Sequence, residues 1–231
     1  MPRGRRRKRR RLSLRLIDVR RDGPYSGFVL DQLLRPVKDR LIAPIARTLG
    51  SRLHPTTITL AAAAIGIAAA VLAWSGRYGW ACALWITNRV VDGLDGAVAR
   101  QTGRQSDYGG YLDMLLDVVV YSAVPIGFAL GVASTPLFIA VIALLAAFYL
   151  NITSWLYLSA LLEKRAEGGR SARGSTSILM PSGVVEGTET IVAYGVMLLW
   201  PAAAIPIIWI LAAATLAGVA QRIAWARRHV R

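Results

Sequence analysis

Apolar residues in this chain come in long runs divided by short polar segments, and the runs set the expected elements. After residue 50 there are six of them, at 57–74, 79–98, 109–130, 136–162, 184–200 and 203–223. Each approaches the roughly 20 helical residues needed to cross a hydrocarbon core about 30 Å thick. Residues 25–50 follow a different rule. Phe28, Leu30, Leu33, Leu34, Val37, Leu41, Ile42 and Ile45 recur near helical spacing, with Asp31, Arg35, Lys38 and Arg40 largely between them. Pro36 and Pro44 bend or interrupt such a helix. It is too polar to cross and reads as lying in the membrane interface. The predicted fold is an all-α membrane protein: six transmembrane helices behind an N-terminal interfacial amphipathic helix.

Composition agrees with the pattern. Of 231 residues, 55% are hydrophobic and 18% charged, below the about 25% charged of soluble domains. The formal net charge is nevertheless +15, because Lys and Arg gather between the runs. Residues 1–21 hold 11 of the 28 basic side chains, with an unbroken basic block at 5–11. One side of the predicted bundle receives this block, the loop with Arg100 and Arg104, the loop at 163–183 and the tail with Arg227, Arg228 and Arg231; the other receives Arg77 and two nearly uncharged turns. By the bias of positive charge, both termini face the cytoplasm, in the inner membrane. The expected organisation is a basic tail without fixed structure (1–24), the interfacial helix (25–50) and a membrane domain (51–231). A single cysteine, Cys82, excludes a disulfide framework. The basic block would bind any polyanion. It lacks interleaved aromatics and adjoins an interfacial helix, so anionic lipid is its expected partner, at about 1 kcal/mol per basic residue, and not nucleic acid.

The stretch that carries chemistry is Asp92-Gly-Leu-Asp95-Gly96-Ala-Val-Ala-Arg100, eight residues, then Gly109-Gly-Tyr-Leu-Asp113-Met-Leu-Leu-Asp117. Spacings of three and four put each pair of carboxylates on one helical face. The short loop makes the two helices antiparallel neighbours, so all four can converge near one membrane boundary. One Asp near a span end is readily a helix cap or an ion-pair partner. Four on one hairpin are not, because each Asp deep in a span costs about 3 kcal/mol on insertion scales. Arg100 alone cannot neutralise them. Two divalent cations would, and an all-oxygen ligand set suits Mg²⁺ or Mn²⁺ better than zinc. Gly96 and Gly109 leave room for a ligand at the backbone. Gly109 also sits near a helix N-terminus, whose N–H groups suit phosphate oxygens, and Arg100 offers a guanidinium fork. These features describe a site for a metal-bridged pyrophosphate.

The string D-x-x-D-G-x-x-A-R, eight residues, G-x-x-x-D-x-x-x-D resembles, at every fixed position, the signature of the CDP-alcohol phosphatidyltransferase family. The resemblance covers residues 92–117, and the order of interfacial helix and six spans is similar too. It implies transfer of a phosphatidyl group from CDP-diacylglycerol, or a related CDP-lipid, to the hydroxyl of a small alcohol with release of CMP. It implies two ions, Mg²⁺ or Mn²⁺, on Asp92, Asp95, Asp113 and Asp117, with Asp117 also the general base. Gly96, Arg100, Ser106 and Gly109 would contact the CDP moiety. A weaker similarity assigns Pro55, Thr56 and Thr57 to CDP as well, although Thr56 stands where the family often has Asn. The resemblance also implies a homodimer.

For the acceptor, the fourth span offers Asn151, Thr153, Ser154, Tyr157 and Ser159, and the fifth opens with Glu186 and Glu189. Relatives that use phosphorylated acceptors tend to carry Lys or Arg on these two helices. Neither predicted span holds one, which points to an unphosphorylated polar alcohol. Glu186 and Glu189 would attract an ammonium group such as that of serine, or simply favour a helix start. Arg165, Arg170, Arg173 and Arg222 keep open a phosphorylated acceptor such as glycerol 3-phosphate or inositol phosphate. The acceptor residues are therefore taken as Tyr157, Glu186, Glu189 and Arg222. An intramembrane prenyltransferase would need two separate Asp-rich motifs where this chain has one. A cation transporter would place its carboxylates near the bilayer midplane, away from an Arg that repels cations.

Overall fold

A computed structural model describes residues 44, 48, 50, 53–167 and 187–230. Among them there are six α-helices and no strand: α1 (Pro55–Trp74), α2 (Tyr78–Thr102), α3 (Asp107–Val132), α4 (Thr135–Glu167), α5 (Gly187–Leu199) and α6 (Ala204–His229), with a 3₁₀ turn at Pro201–Ala203. They match the six apolar runs in order. Four segments, Pro55–Trp74, Asp107–Val132, Thr135–Arg165 and Pro201–His229, are long and apolar enough to cross a membrane. The other two fall short of the six expected spans for physical reasons. Along α2 lie Arg89, Asp92, Asp95 and Arg100, and the 13 residues of α5 reach only about 20 Å at 1.5 Å per residue. The first residues of the run at 184–200, and nearly all of the amphipathic segment at 25–50, lie outside the described residues, as does the basic tail.

Local chemistry explains where the helices of the site begin and end. Pro55 opens α1, where its missing N–H costs nothing, behind His54, whose Nδ1 accepts from the Thr56 N–H at 3.3 Å. α2 stops at Gly103, in the left-handed region at φ +65°, with its N–H on the Ala99 carbonyl. Three residues later Ser106 caps α3: its Oγ accepts from the Gly109 N–H at 3.1 Å. The connection between the two acidic helices is therefore only four residues long, and they lie antiparallel.

Packing divides the bundle. α1 lies against both α2 and α3, α4 pairs with α6, and α5 fills in against α2. A Cβ at Gly127 would run into the Ala70 carbonyl, and one at Gly131 into the carbonyls of Ala73 and Trp74, so α1 and α3 touch backbone to backbone. Pro125 interrupts the hydrogen bonding of α3. Lacking an N–H, it deprives the Tyr121 carbonyl one turn earlier of its usual donor, and the Tyr194 hydroxyl of α5 donates to that carbonyl instead, at 2.8 Å. The Trp85 indole N–H likewise donates to the Ile191 carbonyl at 3.1 Å. Trp85, Phe128, Leu144, Tyr194 and Met197 are fully buried, while Leu60, Val71, Ile142, Tyr149 and Ile210 face outward. An outer surface this apolar is costly in water and suits hydrocarbon.

Candidate active site

The last turns of α2 and the first turns of α3 bring three carboxylates together. One oxygen each from Asp92, Asp95 and Asp113 lies within 4.8 Å of the others, a grouping that can hold a metal ion. Asp95 is buried and its Oδ2 accepts from the Thr59 hydroxyl at 2.6 Å. Thr59 is on α1, so the third helix of the packing unit fixes this carboxylate. The ligand set is hard oxygen throughout and fits Mg²⁺ or Mn²⁺.

Asp117 is held differently. Its Oδ1 accepts from Arg89 Nη1 at 2.8 Å, and the same nitrogen is 3.7 Å from Asp92 Oδ2. Arg89 is a buried cation one turn before Asp92 that the motif does not include. The motif offers Arg100 as the neighbouring positive charge, while the structure puts Arg89 against the acidic group. Its signal was present, since an Arg inside a span rarely lacks an acidic partner. Arg89 Nε donates to Asn88 Oδ1 at 2.7 Å, and Asn88 Nδ2 donates to the Ala62 carbonyl of α1 at 2.7 Å. Its guanidinium carbon lies 4.9 Å from the Trp85 ring centroid and 4.6 Å from that of Tyr121.

Beside the carboxylates opens a cleft lined by Pro55, Thr56, Thr59, Asp95, Gly96, Ala99, Arg100, Arg104, Gln105, Ser106, Gly109, Gly110 and Asp113. Six of the residues assigned to CDP from the sequence are among them. The seventh, Thr57, is exposed and does not line it; one helical turn after Pro55, Thr59 does. The Gly109 N–H is already taken by Ser106 Oγ, so this amide is not free for phosphate as its position near the helix start suggested. A Cβ on Gly96 would meet Arg100 Nη1 at 3.2 Å, so the glycine makes room for the guanidinium that borders the cleft.

The acceptor residues are more scattered. Tyr157 is exposed, Glu189 is half-buried in the first turn of α5, and Glu186 lies outside the described residues. Arg222 is buried on α6, where Nη1 donates to the Asn151 carbonyl at 3.2 Å, to Asn151 Oδ1 at 3.1 Å and to Ser154 Oγ at 3.2 Å, all on α4. Its Nε is buried without a hydrogen-bond partner among the described residues. By helix direction, Arg222 belongs to the same end of the bundle as the carboxylates.

The family model of CDP-alcohol phosphatidyltransferase matches residues 52–224. The chain is 35% identical over 175 residues to the inner membrane protein YnjF of Escherichia coli, across 75% of this chain and 84% of that protein. It is 31% identical over 214 residues to the phosphatidylinositol phosphate synthase of Mycobacteroides abscessus, across 86% and 87%. Of solved structures, it resembles Mycobacterium tuberculosis phosphatidylinositol phosphate synthase with CDP-DAG bound, at TM-score 0.60 and 27% identity, over 80% of this chain and 92% of that one. The same enzyme in complex with manganese and citrate matches at TM-score 0.60 and 28% identity, over 79% and 87%. The family match runs from just before α1 nearly to the end of α6 and takes in every element that builds the cleft: this chain is a membrane-integral enzyme of the CDP-alcohol phosphatidyltransferase family.

Proposed function

We propose that the enzyme transfers a phosphatidyl group from CDP-diacylglycerol, or a related CDP-lipid, to the hydroxyl of a small polar alcohol and releases CMP. The observation that carries this reading is the convergence of Asp92, Asp95 and Asp113 beside a cleft bordered by Arg100 and the start of α3. Together with Asp117, these carboxylates would hold two divalent ions, Mg²⁺ or Mn²⁺, which when bound supply charge neutralisation and Lewis acidity at a diphosphate. Arg100 and the backbone at Gly96 and Gly109 would orient the nucleotide. Thr59 keeps Asp95 turned toward the cleft. The acceptor oxygen attacks the lipid-bearing phosphorus as its proton passes to the Asp117 carboxylate; the bond from that phosphorus to the bridging oxygen breaks, and CMP leaves with the electron pair. The M. tuberculosis neighbour with CDP-DAG bound supports the donor class.

Sidedness, pairing and the tail belong to the same reading. The end of the bundle that carries the site would face the cytoplasm, the basic N-terminus would rest on anionic lipid, and the enzyme would work as a homodimer.

A second reading of the acceptor is favoured by Arg222. A buried cation whose described partners are all neutral suits an acceptor that carries its own phosphate, and two similar proteins are named phosphatidylinositol phosphate synthases. Purified protein with CDP-diacylglycerol, Mg²⁺ and a panel of serine, glycerol, glycerol 3-phosphate, inositol and inositol phosphate tests both readings. CMP release with any of them supports the reaction, and the lipid formed names the acceptor class. No CMP release and no lipid product from any acceptor overturns the proposal.

A further inference from the structure

Three of the four carboxylates group as ion ligands and one does not. Oxygens of Asp92, Asp95 and Asp113 lie within 4.8 Å of one another, while Asp117 accepts a charge-assisted hydrogen bond from Arg89 Nη1 at 2.8 Å. The guanidinium that makes this bond is fixed from several sides. Asn88 holds Nε and is itself tied to α1, and the rings of Trp85 and Tyr121 flank the guanidinium carbon. The Trp85 ring is held through α5 by the bond from its indole N–H to the Ile191 carbonyl, and the Tyr121 ring packs edge-on against Trp85 at 5.4 Å between centroids. Arg89 Nη2 is buried and finds no hydrogen-bond partner among the described residues.

We propose that Arg89 is the positioning residue of Asp117 and orders the loading of divalent ions. The first ion is bound tightly by Asp92, Asp95 and Asp113. The second is bound more weakly, because Asp117 becomes its ligand only by giving up or sharing the bond to Arg89, and the guanidinium repels the incoming cation. This inference rests on the divalent-ion reading above and concerns the order and affinity of binding, not the reaction.

Mn²⁺ titration of the full-length protein in detergent at fixed pH and ionic strength, with free Mn²⁺ followed by electron paramagnetic resonance, tests it without recourse to activity. The wild type should bind one ion at least about tenfold more tightly than the next, the scale on which groups behind a ligand shift ion affinity. Arg89→Gln should close that gap by tightening the second ion, and Arg89→Lys, which keeps the charge, should restore it. Asp117→Asn should keep the tight ion and lose the second, which holds the inference to account even if Arg89→Gln fails to fold. Two equal ions in the wild type, a gap that survives Arg89→Gln, or loss of the tight ion in Asp117→Asn would each overturn it. A wild type that binds no ion would overturn the divalent-ion reading as well, whereas an unequal pair indifferent to Arg89 would overturn this inference alone.

Discussion

The two halves of the bundle handle buried polarity in opposite ways. In α1–α3 the polar side chains answer one another across helices: Thr59 holds Asp95, Arg89 holds Asp117, and Asn88 ties Arg89 to α1. Glycine contacts set the distance between α1 and α3. In α4–α6 the buried cation Arg222 rests on the neutral groups of Asn151 and Ser154. In the first half a buried cation meets carboxylates directly, Asp117 at 2.8 Å and Asp92 at 3.7 Å. In the second half the buried cation has only neutral partners among the described residues.

Substitutions can break or sharpen that contrast. Asp113→Asn removes an ion ligand and should lower CMP release by about 1000-fold or more whatever the acceptor, since the ion contributes several kcal/mol to the transition state; a variant with near-normal turnover would detach Asp113 from the chemistry. Arg222→Gln should act on one substrate alone. It should raise KM for a phosphorylated acceptor by about 10- to 100-fold, the worth of a hydrogen bond to a charged group, and leave KM for the CDP-lipid unchanged. Equal shifts in both would erase the division of labour between the halves. Thr59→Val preserves shape but drops the hydroxyl behind Asp95, so Mn²⁺ affinity should fall by about tenfold with the fold intact, read by the same titration. The smallest effect is expected at the seam between the halves. Tyr194→Phe leaves the Tyr121 carbonyl without its donor and should cost about 1–3 kcal/mol, visible as a lower thermal midpoint in detergent.

Much of this was legible in the sequence because it is local. The apolar runs fix six helices, and Asp92, Asp95, Asp113 and Asp117 sit at helical spacings on either side of a loop too short to separate them. What escaped depends on contacts between distant residues. Thr59 and Asp95 are 36 positions apart, and nothing near either announces the other. The similarity at Pro55, Thr56 and Thr57 carries no rotation for α1, and the helix turns Thr57 outward and Thr59 toward the cleft. Arg89 carries a local signal of its own: a charged residue inside an apolar run, three before an Asp, already asks for an acidic partner. Only the fold could say that Asp117 is the closer one. The acceptor stays weakest in the sequence, because Arg222 meets Asn151 and Ser154, 71 and 68 positions away, through packing alone.

Pro125 has a reach beyond its own helix. Sliding α5 along α3 by a single residue would carry the Tyr194 phenol about 1.5 Å from the carbonyl it serves, and a full turn would carry it about 5.4 Å. Nowhere else along that face does a proline free a backbone oxygen in α3. The register of Glu189 and Thr190 along α3 is therefore dictated by a hydrogen atom that a neighbouring helix does not possess.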